Sequence, residues 1–217
     1  SLFQRQTESF DDIEKSVKGI LQLVKDKGDK ALINLTRKFD KVSLKKSDVN
    51  ALEVKQAEKN TSPALKKAID KAYKNIYAFH TIQTSKENKV ETMPGVMCWR
   101  KPVAIEKVGL YIPGGSAPLF STVLMLGIPA KIAGCKEIIL CTPPGISGNI
   151  NPAILYAAAK CGITKIYKAG GVQAIAAMAY GTKSIPKADK IFGPGNSFVM
   201  MAKQLVSLDG VAIDMPA

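Results

Sequence analysis

From Val108 onward, short apolar runs bounded by turn residues alternate with alanine-rich stretches, and this alternation limits the possible folds more than any other feature of the chain. The strand-like runs begin at Val108, Glu137, Lys165, Lys190 and Val211, which lie 29, 28, 25 and 21 residues apart. Each gap is too long for a hairpin and long enough for a crossover helix. The spacing predicts strands over 108–112, 137–141, 165–168, 190–192 and 211–213, with helices over 119–133, 152–161, 172–180 and 196–206. That order builds a mostly parallel sheet covered on both faces, the Rossmann-like class of α/β fold.

The first 89 residues follow a different period. Ile13, Val17, Ile20, Leu21 and Val24 recur at helical spacing, with Asp11 and Asp12 at the start and Gly28 as a stop. A second short helix carries Leu32, Leu35 and Phe39. Ser62 and Pro63 form a helix cap and first turn, followed by a stripe of Leu65, Ile69, Ala72, Ile76 and Phe79. Between Val90 and Lys107, Pro94-Gly95 and Pro102 punctuate extended pieces at 96–99 and 103–105. The pattern therefore divides into an N-terminal helical segment (1–89), a strand-rich connector (90–107) and a Rossmann-like domain (108–217).

With 46% hydrophobic and 23% charged residues, the chain is globular and too apolar for intrinsic disorder. Its apolar runs fall well short of the ~20 residues that cross a bilayer, so no membrane association is expected. Ser1 begins no charged and apolar leader, and a cytoplasmic location is expected. The net charge of +13 is dispersed: residues 1–89 hold 19 basic against 12 acidic side chains, and residues 90–217 hold 12 against 6. Only Arg5, Arg37 and Arg100 are arginines, whereas base-reading surfaces lean on arginine and aromatic platforms. The charge reads as a solvated lysine surface, with no nucleic-acid partner. Cys98, Cys135, Cys141 and Cys161 have no CxxC spacing and His80 is the sole histidine, so no zinc site of the usual ligand set assembles.

In an open parallel sheet, ligands bind beyond the carboxyl ends of the strands, where free N–H groups at helix starts meet anions. Three turns there are glycine-rich: Pro113-Gly114-Gly115-Ser116, Ala169-Gly170-Gly171-Val172-Gln173 and Gly193-Pro194-Gly195-Asn196. All three should open on one rim, each ending in a polar donor: Ser116, Gln173 or Asn196. Neither GxGxxG nor a P-loop is present. Tyr111 at the end of its strand suits either ring stacking or ordinary packing. Asn196 suits either a helix cap or a ligand contact, and Gln173 either a ligand or solvent. Asp189, Asp209 and Asp214 are scattered and no histidine accompanies them, so the rim offers no acid–base pair.

Four runs in order carry a family resemblance: Val108-Gly109-Leu110-Tyr111-Ile112-Pro113-Gly114-Gly115, Ala169-Gly170-Gly171-Val172-Gln173-Ala174-Ile175-Ala176-Ala177, Asp189-Lys190-Ile191-Phe192-Gly193-Pro194-Gly195-Asn196 and Ala212-Ile213-Asp214-Met215-Pro216-Ala217. Together they resemble histidinol dehydrogenase, over about the first half of a typical member. The resemblance implies NAD contacts at Tyr111, Gln173 and Asn196. It implies NAD-dependent, zinc-assisted oxidation of L-histidinol to L-histidine in histidine biosynthesis, by a homodimer in full-length form. The family's catalytic Glu-His pair and its zinc ligands lie beyond residue 217, so no catalytic or metal-binding residue is assigned here, and the chain alone is expected to be inactive. Two other readings stand beside this one. The chain could be an inactive nucleotide-binding module or regulatory remnant, or a dehydrogenase of the aldehyde-oxidising type with Cys141 as nucleophile at the rim.

Overall fold

The computed structural model describes residues 10–84, 87–115 and 117–215. Five strands form one parallel sheet: β3 (Lys107–Tyr111), β4 (Glu137–Thr142), β5 (Lys165–Lys168), β6 (Lys190–Phe192) and β7 (Ala212–Ile213), in the order β5-β4-β3-β6-β7. The chain begins at the centre with β3, runs outward to β5, then returns to the other side of β3 for β6. The order reverses between β3 and β6, where an open sheet leaves a crevice. Strand positions match the spacing to within a residue or two at each end.

Helices cover both faces. On one face, α7 (Gly171–Tyr180) and α8 (Ser197–Leu208) lie under α1 (Phe10–Lys27) and α2 (Asp29–Phe39). Residues Val172 to Ala179 are all buried because α7 is sandwiched between the sheet and α1, and its alanines let both neighbours approach closely. On the other face, α5 (Phe120–Ala133) and α6 (Pro152–Cys161) lie under α4 (Pro63–Thr81) and α3 (Ala51–Asn60). The N-terminal helices thus form an outer layer on each side.

Ser62 caps α4 by accepting the Leu65 N–H, with Pro63 in the first turn, as its residues dictate. Two apolar positions expected on buried stripes lie outside. Phe79 is exposed because the last turns of α4 run past the core, leaving Tyr77 and Ile82 in solvent as well. Phe39, the last residue of α2, is also exposed, with the Lys38 ammonium 5.2 Å from its ring centre. His80 hydrogen-bonds Gln83 at 2.8 Å at the far end of α4. The connector forms one antiparallel hairpin, β1 (Lys89–Met93) with β2 (Val96–Trp99), exposed along both strands. The extended piece at 103–105, after Pro102, joins no strand among the described residues.

Helix α3 has no apolar stripe in the sequence and is fastened by polar contacts. Asn50 and Glu53 form a reciprocal capping box. Glu53 also reaches the ammonium of Lys168, which is largely buried, at 2.5 Å. Just before the helix, the Val49 N–H donates to the Ile166 carbonyl and the Lys168 N–H to the Ser47 carbonyl, covering the β5 edge.

Candidate functional site

The candidate site lies at the carboxyl rim, and Tyr111 joins its parts. The Tyr111 side chain is buried at the end of β3, and its Oη accepts the Gly171 N–H at 3.0 Å, reaching past β4 to the start of α7. Burial raises the phenol above its ordinary value, so at neutral pH it is a protonated donor. On the opposite side, the Tyr111 carbonyl packs on Gly193, where an added Cβ would overlap the carbonyl oxygen and stand 2.9 Å from its carbon. One tyrosine therefore contacts both of the other glycine turns.

Pro143, at the end of β4, fills the space between the first two turns. An added Cβ on Gly114 would stand 2.6 Å from its ring, and one on Gly170 would stand 2.7 Å from it. The glycines let three strand ends converge around this ring. Beyond it, towards α3 and α6, a cavity of about 710 Å³ opens between Gly114, Gly115, Pro144, Gln56 and Asn151. Tyr111, Gln173 and Asn196 do not line this cavity. It adjoins their part of the rim across Pro143.

Gln173 is buried, which removes the reading that it merely faces solvent; its Oε1 lies 3.3 Å from where a Cβ on Gly171 would stand. Asn196 is exposed at the mouth of the third turn and caps α8, its Oδ1 accepting the Val199 N–H at 3.1 Å. The cap occupies the oxygen and leaves the amide nitrogen without a partner among the described residues. Ser116 lies outside the described residues.

The third turn is held by a contact that the sequence reading missed. The Gly193 N–H donates to Asp214 Oδ2 at 2.8 Å, while the buried Lys203 donates to the Gly193 carbonyl at 3.0 Å and pairs with Asp214 Oδ1. Lys203 and Asp214 thus clasp both backbone groups of one glycine. The other two aspartates are backbone or phenol acceptors: Asp189 takes the Lys107 N–H and Asp209 the Tyr180 hydroxyl. A lysine inside an apolar helix stripe was the one available hint, and nothing local tied it to position 214.

Cys141 is level with Tyr111 in the sheet but is closed off from solvent. It is fully buried in the sheet, and burial pushes its thiol far above the thiolate range, so it cannot act as a surface nucleophile. Cys161 is likewise pushed up to about 12 by burial. Thiol labelling of the folded chain should modify the exposed Cys98 readily. Cys141 and Cys161 should label roughly a thousandfold more slowly or less, because reaching them requires an opening that costs several kcal/mol. Rapid native-state labelling at Cys141 would return it to candidacy. Among the described residues, no group of three or more His, Cys, Asp and Glu side chains converges as a metal site.

Comparison with known proteins is uniform. The family model described as "Histidinol dehydrogenase" matches residues 3–217. Histidinol dehydrogenase of Bacteroides thetaiotaomicron is 59% identical over 216 residues, covering 100% of this chain and 50% of that protein. The Vibrio parahaemolyticus protein of the same name is 54% identical over 207 residues, 94% of this chain and 47% of its own. The crystal structure of histidinol dehydrogenase from Elizabethkingia anophelis superposes with a TM-score of 0.94 at 56% identity, covering 99% of this chain and 49% of that one. The chain spans about half the length of the relatives it matches. Since the likeness runs through all three glycine turns and the helices that brace them, the chain belongs to the histidinol dehydrogenase family.

Proposed function

We propose that this chain supplies the cofactor side of an NAD-dependent oxidation of L-histidinol to L-histidine, with Tyr111, Gln173 and Asn196 contacting NAD. Bound NAD would accept a hydride in each of two successive oxidations. The observation that carries this reading is the Tyr111 bridge, which gathers the β3, β5 and β6 turns around one tyrosine, its phenol on the β5 turn and its backbone carbonyl on the β6 turn. The residues fit a dinucleotide: close-packed glycine turns, first-turn N–H groups of α7 and α8, the protonated Tyr111 phenol between them and the exposed amide of Asn196. Tyr111 orients its donor through the Gly171 N–H. Gln173 presents an amide from inside the turn, and Asn196 offers its free amide nitrogen from the cap. The Lys203–Asp214 clasp keeps the third turn in place. Residues 108–217 form the cofactor body in this reading, with 1–89 bracing it and 90–107 connecting the two.

Alcohol orientation by zinc and proton removal by an acid–base pair belong to the half that the relatives carry beyond this chain. The full-length protein acts as a cytoplasmic homodimer, and the isolated chain binds NAD weakly. An inactive nucleotide-binding remnant is not favoured by a likeness that extends along the whole chain.

The test is an NAD titration followed by backbone chemical shifts. Perturbations should centre on residues 111–115, 170–173 and 193–197, with a dissociation constant weaker than about 0.1 mM because no fingerprint loop cradles the pyrophosphate. Asn196→Asp keeps the cap oxygen, removes the amide donor and should weaken binding about tenfold or more. Shifts confined to residues 11–83, with the glycine turns silent, would overturn the assignment.

A further inference from the structure

Asp40 places a carboxylate at this rim that nothing described so far uses. Its backbone N–H closes α2 on the Thr36 carbonyl. The next residue, Lys41, has φ 59°, alone in the left-handed region among the described non-glycine residues. Such a conformation is uncommon for lysine and needs the surroundings to hold it. The bend directs the carboxylate at the second glycine turn, where Oδ1 lies 3.4 Å from the position of a Cβ on Gly170. Oδ2 is buried without a hydrogen-bond partner among the described residues, and none of the ion pairs found there includes Asp40. Burial raises the Asp40 carboxyl above the ordinary carboxylate value. The Tyr111 phenol, pushed up mainly by its own burial, is pushed further by the Asp40 charge, which places the two groups in one neighbourhood.

An unpartnered buried carboxylate oxygen costs stability, and no hydrogen bond or ion pair among the described residues recovers that cost. The local chemistry is specific. A carboxylate accepts from two neighbouring hydroxyls, and a protonated phenol beside it donates back to one of them. A vicinal diol satisfies both groups, whereas a phosphate ester in its place would set like charges together. In other open α/β sheets, an acidic side chain near the strand-order reversal reads the ribose hydroxyls of NAD in the same manner.

We propose that Asp40 accepts the hydroxyls of the adenosine ribose of the dinucleotide and so selects NAD against its 2′-phosphorylated form, NADP. This rests on the cofactor reading above, and it adds a specificity determinant from the N-terminal helical layer, which the sequence motifs leave out.

The test titrates NAD and NADP separately into wild type, Asp40→Asn, Asp40→Ala and Asn196→Asp, by chemical shift, with thermal midpoints recorded without ligand. Wild type should prefer NAD by about tenfold or more. Both Asp40 variants should lose roughly tenfold in NAD affinity and bring the two dinucleotides to within about threefold of each other. Neither variant should have a lower ligand-free midpoint, because the carboxylate is held for a ligand and not for the fold. If wild type binds no NAD, this proposal and the cofactor reading both fail. If Asn196→Asp weakens NAD binding while the Asp40 variants keep the wild-type affinity and preference, the Asp40 proposal alone fails. A drop of several degrees in the midpoint with both dinucleotides weakened equally marks a structural carboxylate and also overturns it.

Discussion

Gly193→Ala is expected to destabilise the chain by about 3–5 kcal/mol, the sum of overpacking and backbone strain at one position. The β6 turn brings Gly193 against the backbone of Tyr111 at φ 133°, a conformation that L side chains rarely adopt. A methyl there has no flexible side chain to push aside; it meets the Tyr111 carbonyl group and stands 3.1 Å from the Tyr111 nitrogen. Relief requires β6 to move away from β3, which would break the parallel pairing from Val108 to Leu110. Denaturant unfolding should show the loss as a fall in the midpoint concentration with little change in slope. In a chain of this size, the thermal midpoint should drop by roughly 6–20 °C. Gly115→Ala provides the contrast, since no atom of the described residues lies within 4 Å of an added Cβ there and its φ of 159° is close to extended backbone. A loss of less than about 1 kcal/mol at Gly193 would mean that the β3–β6 crevice is looser than its packing indicates.

The second large effect is expected at the clasp. Lys203→Met should cost about 2–4 kcal/mol, because it leaves the Gly193 carbonyl without its donor and Asp214 without its cation. Asp214→Asn should cost about as much, since the buried ammonium then keeps only one carbonyl partner. The double variant should lose far less than the two single losses added, by about 1.5 kcal/mol or more, because neither charge is left buried alone. Denaturant unfolding of the four proteins gives the cycle directly. Additive losses would show that Lys203 and Asp214 act independently and that the clasp is not a unit. NAD contacts read by chemical shift should move in the third turn for both single variants even at temperatures where the fold is intact.

The fold class was legible because periodicity is a local property. Runs of alternate spacing, the intervals between them and the caps at Ser62 and Asn196 each depend on neighbours within a few residues, and the structure follows them closely. The family was legible for a similar reason, as its motifs are contiguous words in the chain. Other features depended on partners distant in sequence. Helix α3 has too little apolar pattern to announce itself, and it is held by Lys168, more than a hundred residues later. Phe39 and Phe79 continue their stripes in sequence yet lie exposed, because a stripe records which face would be buried and not how far the neighbouring helix extends. Cys141 looked like a rim residue by position and is buried in the core, since consecutive strand residues point to opposite faces and the sheet is covered on both.

What the sequence by itself determined is the parallel α/β layout, the three glycine turns on one rim and the family to which they belong. What only the tertiary structure decided is how the rim is assembled. Tyr111 spans β4 to meet Gly171, and Lys203 and Asp214 hold Gly193. Asp40 arrives from the N-terminal layer with an oxygen that has no partner among the described residues. Each of these is a hydrogen bond, ion pair or close approach between residues that share no local pattern. Their strength depends on burial and on distances of about 3 Å, and both exist only once the chain has folded.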